Sequence, residues 1–88
     1  MLVSLISAPA VARQVVRVVG RRRAGGVQPV RRASNLMREL QFDLLDLVNI
    51  ILELESRFHI TIPDEVPLVT VGDLVDYVRA EIRHSLRS

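Results

Sequence analysis

The residue types that usually carry catalysis are sparse in this chain. It has no cysteine, and its two histidines, His59 and His84, stand far apart without a cluster of carboxylates beside them. A zinc site needs three or four such ligands close together. The sequence also lacks a glycine-rich phosphate loop, an HExxH motif and a catalytic triad arrangement. We therefore predict that the chain is not an enzyme and binds no metal, and that each histidine lies at the surface or at a helix end.

The charges are distributed very unevenly. Residues 1–38 carry eight arginines and no acid, whereas residues 39–88 carry ten acids and four arginines, for a net charge of +2. An uneven charge distribution of this kind gives information about binding partners and self-association rather than about the fold. It leaves two alternatives open, a nucleic-acid-binding module that uses the arginines and a homodimer that pairs the two halves. Nucleic acid is the weaker of the two, because no aromatic stacking platform accompanies the arginines.

Neither a membrane span nor a secretory signal is evident. No apolar run approaches the roughly 18 residues that cross a bilayer. The first ten residues lack the basic start of a secretory signal, although an acid-free, arginine-rich segment is also typical of mitochondrial presequences. We predict a cytoplasmic protein and leave organellar targeting open.

Helical periodicity predicts an all-α chain with one domain over residues 1–88. The first helix is expected at residues 9–22, where four valines recur at helical spacing, and the next at 44–57, with Asp43 as its N-cap. Thr70 and Asp73 form a capping box before a last helix at 71–86. Pro63 and Pro67 leave room for one short helix at about 64–68. The valines are Val11, Val15, Val18 and Val19.

The helix predicted at residues 44–57 is apolar nearly all round. Leu45, Val48, Leu52 and Phe58 form one stripe, with Ile51 and Leu54 beside it and Leu44 and Leu47 on a further side. A helix of this kind is usually buried on more than one face.

Four strings follow one another along the second half of the chain. They are Asp43-Leu44-Leu45-Asp46, Leu54-Glu55-Ser56-Arg57-Phe58, Ile62-Pro63-Asp64-Glu65 and Val71-Gly72-Asp73-Leu74-Val75-Asp76-Tyr77-Val78. In this order they resemble the acyl carrier protein family. The resemblance spans about residues 10–83 and implies a small four-helix bundle with a long loop after its first helix. It also implies a role in fatty-acid or polyketide-type biosynthesis.

The main departure from the family is Leu44. In the family, the matching position is a serine that carries a phosphopantetheine arm at a helix N-terminus, where N–H groups favour negative charge. Leucine has no nucleophilic oxygen, so phosphopantetheine is the expected cofactor of the family but cannot be attached here. We predict no cofactor, and a protein that acts by binding other proteins. The alternative is a true carrier whose serine has been replaced by design.

The resemblance also implies a surface that meets biosynthetic enzymes. Family members present acids along the second helix, and Asp43, Asp46, Glu53 and Glu55 keep part of that face. Leu44, Leu47 and Ile51 are neighbours at helical spacing, and in the fold of the family they would form an exposed apolar strip for docking or dimerisation. The alternative is that the helix is rotated and buries them.

Overall fold

The computed structural model describes residues 8–22, 30–63 and 66–87, and within them the chain forms three α-helices. They are α1 (Ala8–Arg22), α2 (Leu44–Phe58) and α3 (Val71–Arg87). The described residues contain no β-strand, only one isolated bridge between Asn35 and Thr70. The all-α prediction is therefore confirmed.

Valine spacing determines how α1 packs. Its four regularly spaced valines are buried, whereas Arg13 and Arg17 are exposed on the opposite side. Valine is β-branched and favours helices only weakly, so burial against α2 and α3 holds this helix. The buried side chains of α3 likewise follow helical spacing, and they are Val71, Leu74, Val75, Val78 and Ile82.

The segment between α1 and α2 contributes to the core and is tied to the start of α3. Leu36, Leu40 and Phe42 are buried, and the Leu36 N–H donates to the Val69 carbonyl at 2.9 Å. The Gly72 N–H donates to the Arg32 carbonyl at 2.8 Å. A Cβ at position 72 would lie 3.1 Å from that same oxygen, so glycine permits this close approach.

The short helix predicted at about residues 64–68 falls partly outside the described residues, since 64 and 65 are not described. Residues 66–68 are not helical; the Val66 N–H donates to the Pro63 carbonyl at 3.3 Å and closes a turn. Pro67 has no N–H to donate to a helical hydrogen bond, which agrees with a turn followed by an extended segment at this point.

The capping box predicted before α3 is present. The Asp73 carboxylate accepts from the Thr70 N–H at 2.9 Å and from the Val69 N–H at 2.8 Å. In return, the Asp73 N–H donates to the Thr70 hydroxyl at 3.1 Å. The backbone hydrogen bonds from Thr70, and then from Val69, lower the pKa of the Asp73 carboxyl because they stabilise its charged form.

Replacing Asp73 with asparagine should make the stability of the protein less dependent on pH. The folded pKa of Asp73 lies below the ordinary aspartate value of 3.8, so the stabilising effect of its charge is complete above pH 3.8 and is lost as the pH falls through the folded pKa. We expect Asp73→Asn to lower the free energy of unfolding by up to about 1 kcal/mol at neutral pH, because it removes a negative charge from the positive end of the α3 dipole.

Urea unfolding at pH 7 and in a series of more acidic buffers measures this effect, with Glu81→Gln as a control on the same helix. The wild-type and Asp73→Asn curves should converge in acid. A constant difference in free energy across the series would contradict the assignment.

Candidate docking face on the second helix

The start of α2 has the geometry of an anion-binding helix terminus but no group to which an anion could be joined. Asp43 is the N-cap, and its carboxylate accepts from the Asp46 N–H at 2.8 Å. The Asp46 carboxylate accepts from the Asp43 N–H at 3.1 Å, which completes a reciprocal capping box. Leu44 follows as the first helical residue and projects a hydrocarbon side chain into solvent.

None of the described serines stands at the start of α2. Ser34 is buried, and its hydroxyl accepts from the Arg31 N–H at 3.0 Å. Ser56 is exposed, but it lies twelve residues along α2 from Leu44, about 18 Å at the rise of an α-helix. The side chains of Ser85 and Ser88 fall outside the described residues.

Four apolar side chains form a continuous exposed strip on α2, which we call the α2 strip. Their exposed fractions are 72% for Leu44, 68% for Leu45, 42% for Val48 and 55% for Leu52. At 100° per residue these four lie within about one third of the helix circumference. Exposed apolar side chains that are contiguous in this way usually mark a contact surface.

This strip corrects two expectations from the sequence. Leu47 and Ile51 were expected beside Leu44 in an exposed strip, but both are partly buried and pack against the core. Conversely, α2 was expected to be buried on more than one face, whereas Leu45, Val48 and Leu52 face solvent.

The physical reason is that α1 and α3 cover only one side of α2. That side is centred on Ile50 and Leu54, the two buried residues of the helix. Leu47 lies three residues before Ile50, and Ile51 lies three residues before Leu54, so both are at the edge of the covered side. The sequence did contain a signal for the exposed strip, because α2 has two apolar faces. Two neighbouring helices that pack on the same side can cover only one of them, so the other face lies in water.

The carboxylate of Glu53 faces α1 rather than solvent. It accepts from the Arg21 guanidinium at 2.7 Å and from Arg57 at 3.2 Å, and it lies 4.0 Å from Arg22. Arg57 also donates to the Gln14 side chain at 3.0 Å. These contacts link the surface of α2 to α1.

The other predicted partner-binding acids also have partners within the chain. The Glu55 carboxylate accepts from the Ile62 N–H at 2.8 Å and so holds the segment that leaves α2. Asp43 and Asp46 cap the helix. Because capping and ion pairing occupy these acids, the least engaged part of the α2 surface is the apolar strip.

The arginine-rich first half of the chain pairs partly with the acidic second half. Besides Arg21 and Arg22 with Glu53, Arg32 donates to Asp76 at 2.9 Å. These exposed pairs contribute little stability each. They nevertheless neutralise some of the opposite charges of the two halves within a single molecule.

The two histidines lie apart at the surface. His59 is exposed and ends α2 with a φ of 55°, a left-handed conformation in which its N–H donates to the Glu55 carbonyl. His84 is exposed on α3. Across 8–22, 30–63 and 66–87, no group of three or more histidine and acidic side chains could hold a metal ion. No helix in this part of the chain is long and apolar enough to cross a membrane.

Comparison with known proteins finds acyl carrier proteins among the relatives of this chain. No family model matches the chain. The acyl carrier protein of Wolinella succinogenes is 40% identical over 53 residues, which are 58% of this chain and 70% of the relative. That of Prochlorococcus marinus is 41% identical over 54 residues, 59% of this chain and 68% of the relative. That of Lactobacillus acidophilus is 43% identical over 49 residues, 53% of this chain and 61% of the relative.

Proposed function

Because this chain belongs to the acyl carrier protein family, we propose that it binds enzymes of fatty-acid or polyketide-type biosynthesis through α2 without carrying an acyl group. The observation that carries the proposal is the exposure of Leu44 at the first position of α2, inside a continuous apolar strip. A hydrocarbon side chain occupies the position at which the family attaches its arm.

The residues at this position do not fit phosphopantetheine. Attachment needs an accessible hydroxyl at the helix start, and Leu44 offers none. Ser34 is buried and Ser56 lies at the far end of α2, so neither replaces it. The chain therefore acts without a phosphopantetheine arm.

Docking would follow the pattern of an amphipathic helix placed in a groove. Leu45, Val48 and Leu52 stand at positions i, i+3 and i+7, the usual spacing of anchors in such complexes. Fully burying a leucine side chain contributes roughly 1.5–3 kcal/mol. Leu44 extends the same contact by one more side chain, at a site where a loaded carrier would present a phosphate.

A protein that docks in this way without carrying an acyl group would occupy the surface at which an enzyme binds its carrier protein. Its effect would be to compete with loaded carriers. Because the anchors of this contact are apolar side chains, the interaction should depend less on salt than one steered by carboxylates.

A second candidate is a carrier whose attachment serine has been replaced by design. The observation that favours it is the exposure of position 44 at the start of α2, between Asp43 and Asp46, which stand where the family has the same residues. Incubation of a Leu44→Ser variant with a phosphopantetheinyl transferase tests whether that position is still recognised.

A competition assay tests the docking proposal. An active acyl carrier protein is loaded by a phosphopantetheinyl transferase while increasing amounts of this chain are added. We expect the chain to inhibit loading, and Leu45→Glu to need at least about ten times more protein for the same inhibition, because one buried anchor is worth roughly 1.5–3 kcal/mol.

Ala80→Glu, which adds the same charge at an exposed position of α3, is the matched control and should inhibit like the wild type. Absence of inhibition by the wild type, or equal inhibition by Leu45→Glu, would contradict docking through the α2 strip.

A further inference from the structure

Two non-glycine residues in the described part of the chain have a positive φ, and both lie next to α2. Gln41, which precedes the helix, has a φ of 57°, and His59, which ends it, has a φ of 55°. A left-handed residue is a common way to end a helix, and this accounts for His59. Gln41 stands before a helix, so its conformation needs another explanation.

The neighbours of Gln41 hold its backbone from both sides. Leu40 and Phe42 are buried in the core. The Leu40 N–H donates to the Asn35 carbonyl at 3.0 Å. The Phe42 N–H donates to the Leu36 carbonyl, also at 3.0 Å. The fold therefore imposes a left-handed backbone at position 41 but does not require a glutamine there, because glycine adopts the same φ without a steric cost.

The side chain of Gln41 is exposed and takes no part in the described fold. Among residues 8–22, 30–63 and 66–87, no group forms a hydrogen bond with its amide. Residues held in a left-handed conformation at a cost in free energy are found preferentially at binding sites. Because a primary amide both donates and accepts, the Gln41 amide is available to a hydrogen-bonding group on another molecule.

Gln41 lies close enough to the α2 strip to share its contact. The strip runs from Leu44 to Leu52, about 12 Å at the rise of an α-helix. A contact of roughly 800 Å² per partner is about 30 Å across, so one centred on the strip extends about 9 Å beyond each end. The Cα atom of Gln41 is at most about 11 Å from that of Leu44, because consecutive Cα atoms are about 3.8 Å apart. Gln41 therefore lies at the edge of such a contact.

We propose that Gln41 determines partner specificity by forming a hydrogen bond with the enzyme at the rim of the apolar contact. Protein interfaces generally have an apolar core and a polar rim. The enzyme surface that fits is a groove for the α2 strip with a backbone carbonyl or N–H at the end that covers Leu44. This inference rests on the proposed function and narrows the partners to enzymes with that feature.

Stability and inhibition, measured on the same variants, test this role. Gln41→Gly should raise the Tm by a few degrees, because glycine relieves the strain. In the competition assay it should nevertheless need about two to ten times more protein than the wild type for the same inhibition, since it lacks one hydrogen bond. Gln41→Ala removes the amide but keeps the strained backbone, so it should weaken inhibition equally without raising the Tm.

Two further variants complete the test. Gln41→Asn keeps a primary amide and should inhibit better than Gln41→Ala. The matched control is His84→Ala, which removes an exposed polar side chain from α3 and should inhibit like the wild type.

The outcomes separate this inference from the proposed function. If Gln41→Ala and Gln41→Gly inhibit as well as the wild type, the inference is overturned and docking through the α2 strip remains. Equal weakening by His84→Ala also overturns it, because the loss would then not be particular to position 41. Absence of inhibition by the wild type removes the proposed function and this inference together.

Discussion

The Leu44→Ser variant should become covalently loaded when it is incubated with coenzyme A and a phosphopantetheinyl transferase. The variant restores a hydroxyl at the first position of α2, where the side chain is exposed and the capping box between Asp43 and Asp46 is already formed. The phosphate of the arm would lie at the positive end of the helix, where negative charge is favoured. The expected change is from no loading to near-complete loading.

Intact-mass spectrometry measures this change, and Leu44→Ala is the matched control. Alanine removes the leucine side chain without supplying an oxygen, so that variant should keep the mass of its polypeptide. Failure of Leu44→Ser to gain mass, in a protein that circular dichroism shows to be folded, would mean that the transferase does not recognise this attachment site. Loading of Leu44→Ala would place the attachment elsewhere in the chain.

Truncating Leu54 to alanine should remove a large share of the stability of the fold. Leu54 is fully buried between α1 and α3, and a Leu→Ala change at such a site costs about 2–5 kcal/mol. Domains of this size have a free energy of unfolding of roughly 5–10 kcal/mol, so the loss is a large fraction of the total.

Leu52→Ala is the matched control, because it makes the same change two residues away on the same helix but at a solvent-exposed position. We expect it to cost less than about 1 kcal/mol. Urea unfolding followed by circular dichroism compares the two variants. Equal costs, or a larger cost for Leu52→Ala, would mean that α2 is rotated so that the strip faces the core.

The helices were predictable where their apolar residues lie on one side only. In α1 the four valines occupy one face and arginines such as Arg13 and Arg17 another, so the buried side follows from the spacing. In α3 the Thr70–Asp73 capping box marks the first turn from local residues alone. Local patterns suffice when no second face competes for burial.

The orientation of α2 could not be predicted in this way. Leu45, Val48 and Leu52 have the same periodicity as a core stripe, and Ile50 and Leu54 offer a second one. The choice between them depends on tertiary contacts, because α1 packs on the Ile50 side. The spacing of apolar residues within α2 does not show which of its faces contacts a helix that is distant in sequence.

The partners of the α2 glutamates could not be predicted from the sequence for the same reason. Glu53 and Glu55 were expected to face partner enzymes, but their observed partners are the Arg21 guanidinium, 32 residues away, and the Ile62 N–H, seven residues away. Sequence alone shows that a glutamate is present and not which donor it meets. The proposal about position 44, by contrast, rests on residue identity alone, because attachment requires an oxygen atom and leucine has none.

The intact mass of the unaltered chain, purified after co-expression with a phosphopantetheinyl transferase, tests most directly whether this carrier-like protein works without an arm. We expect one species at the mass of the polypeptide, near 9.9 kDa. A species heavier by one phosphopantetheine, attached at any residue, would contradict the account.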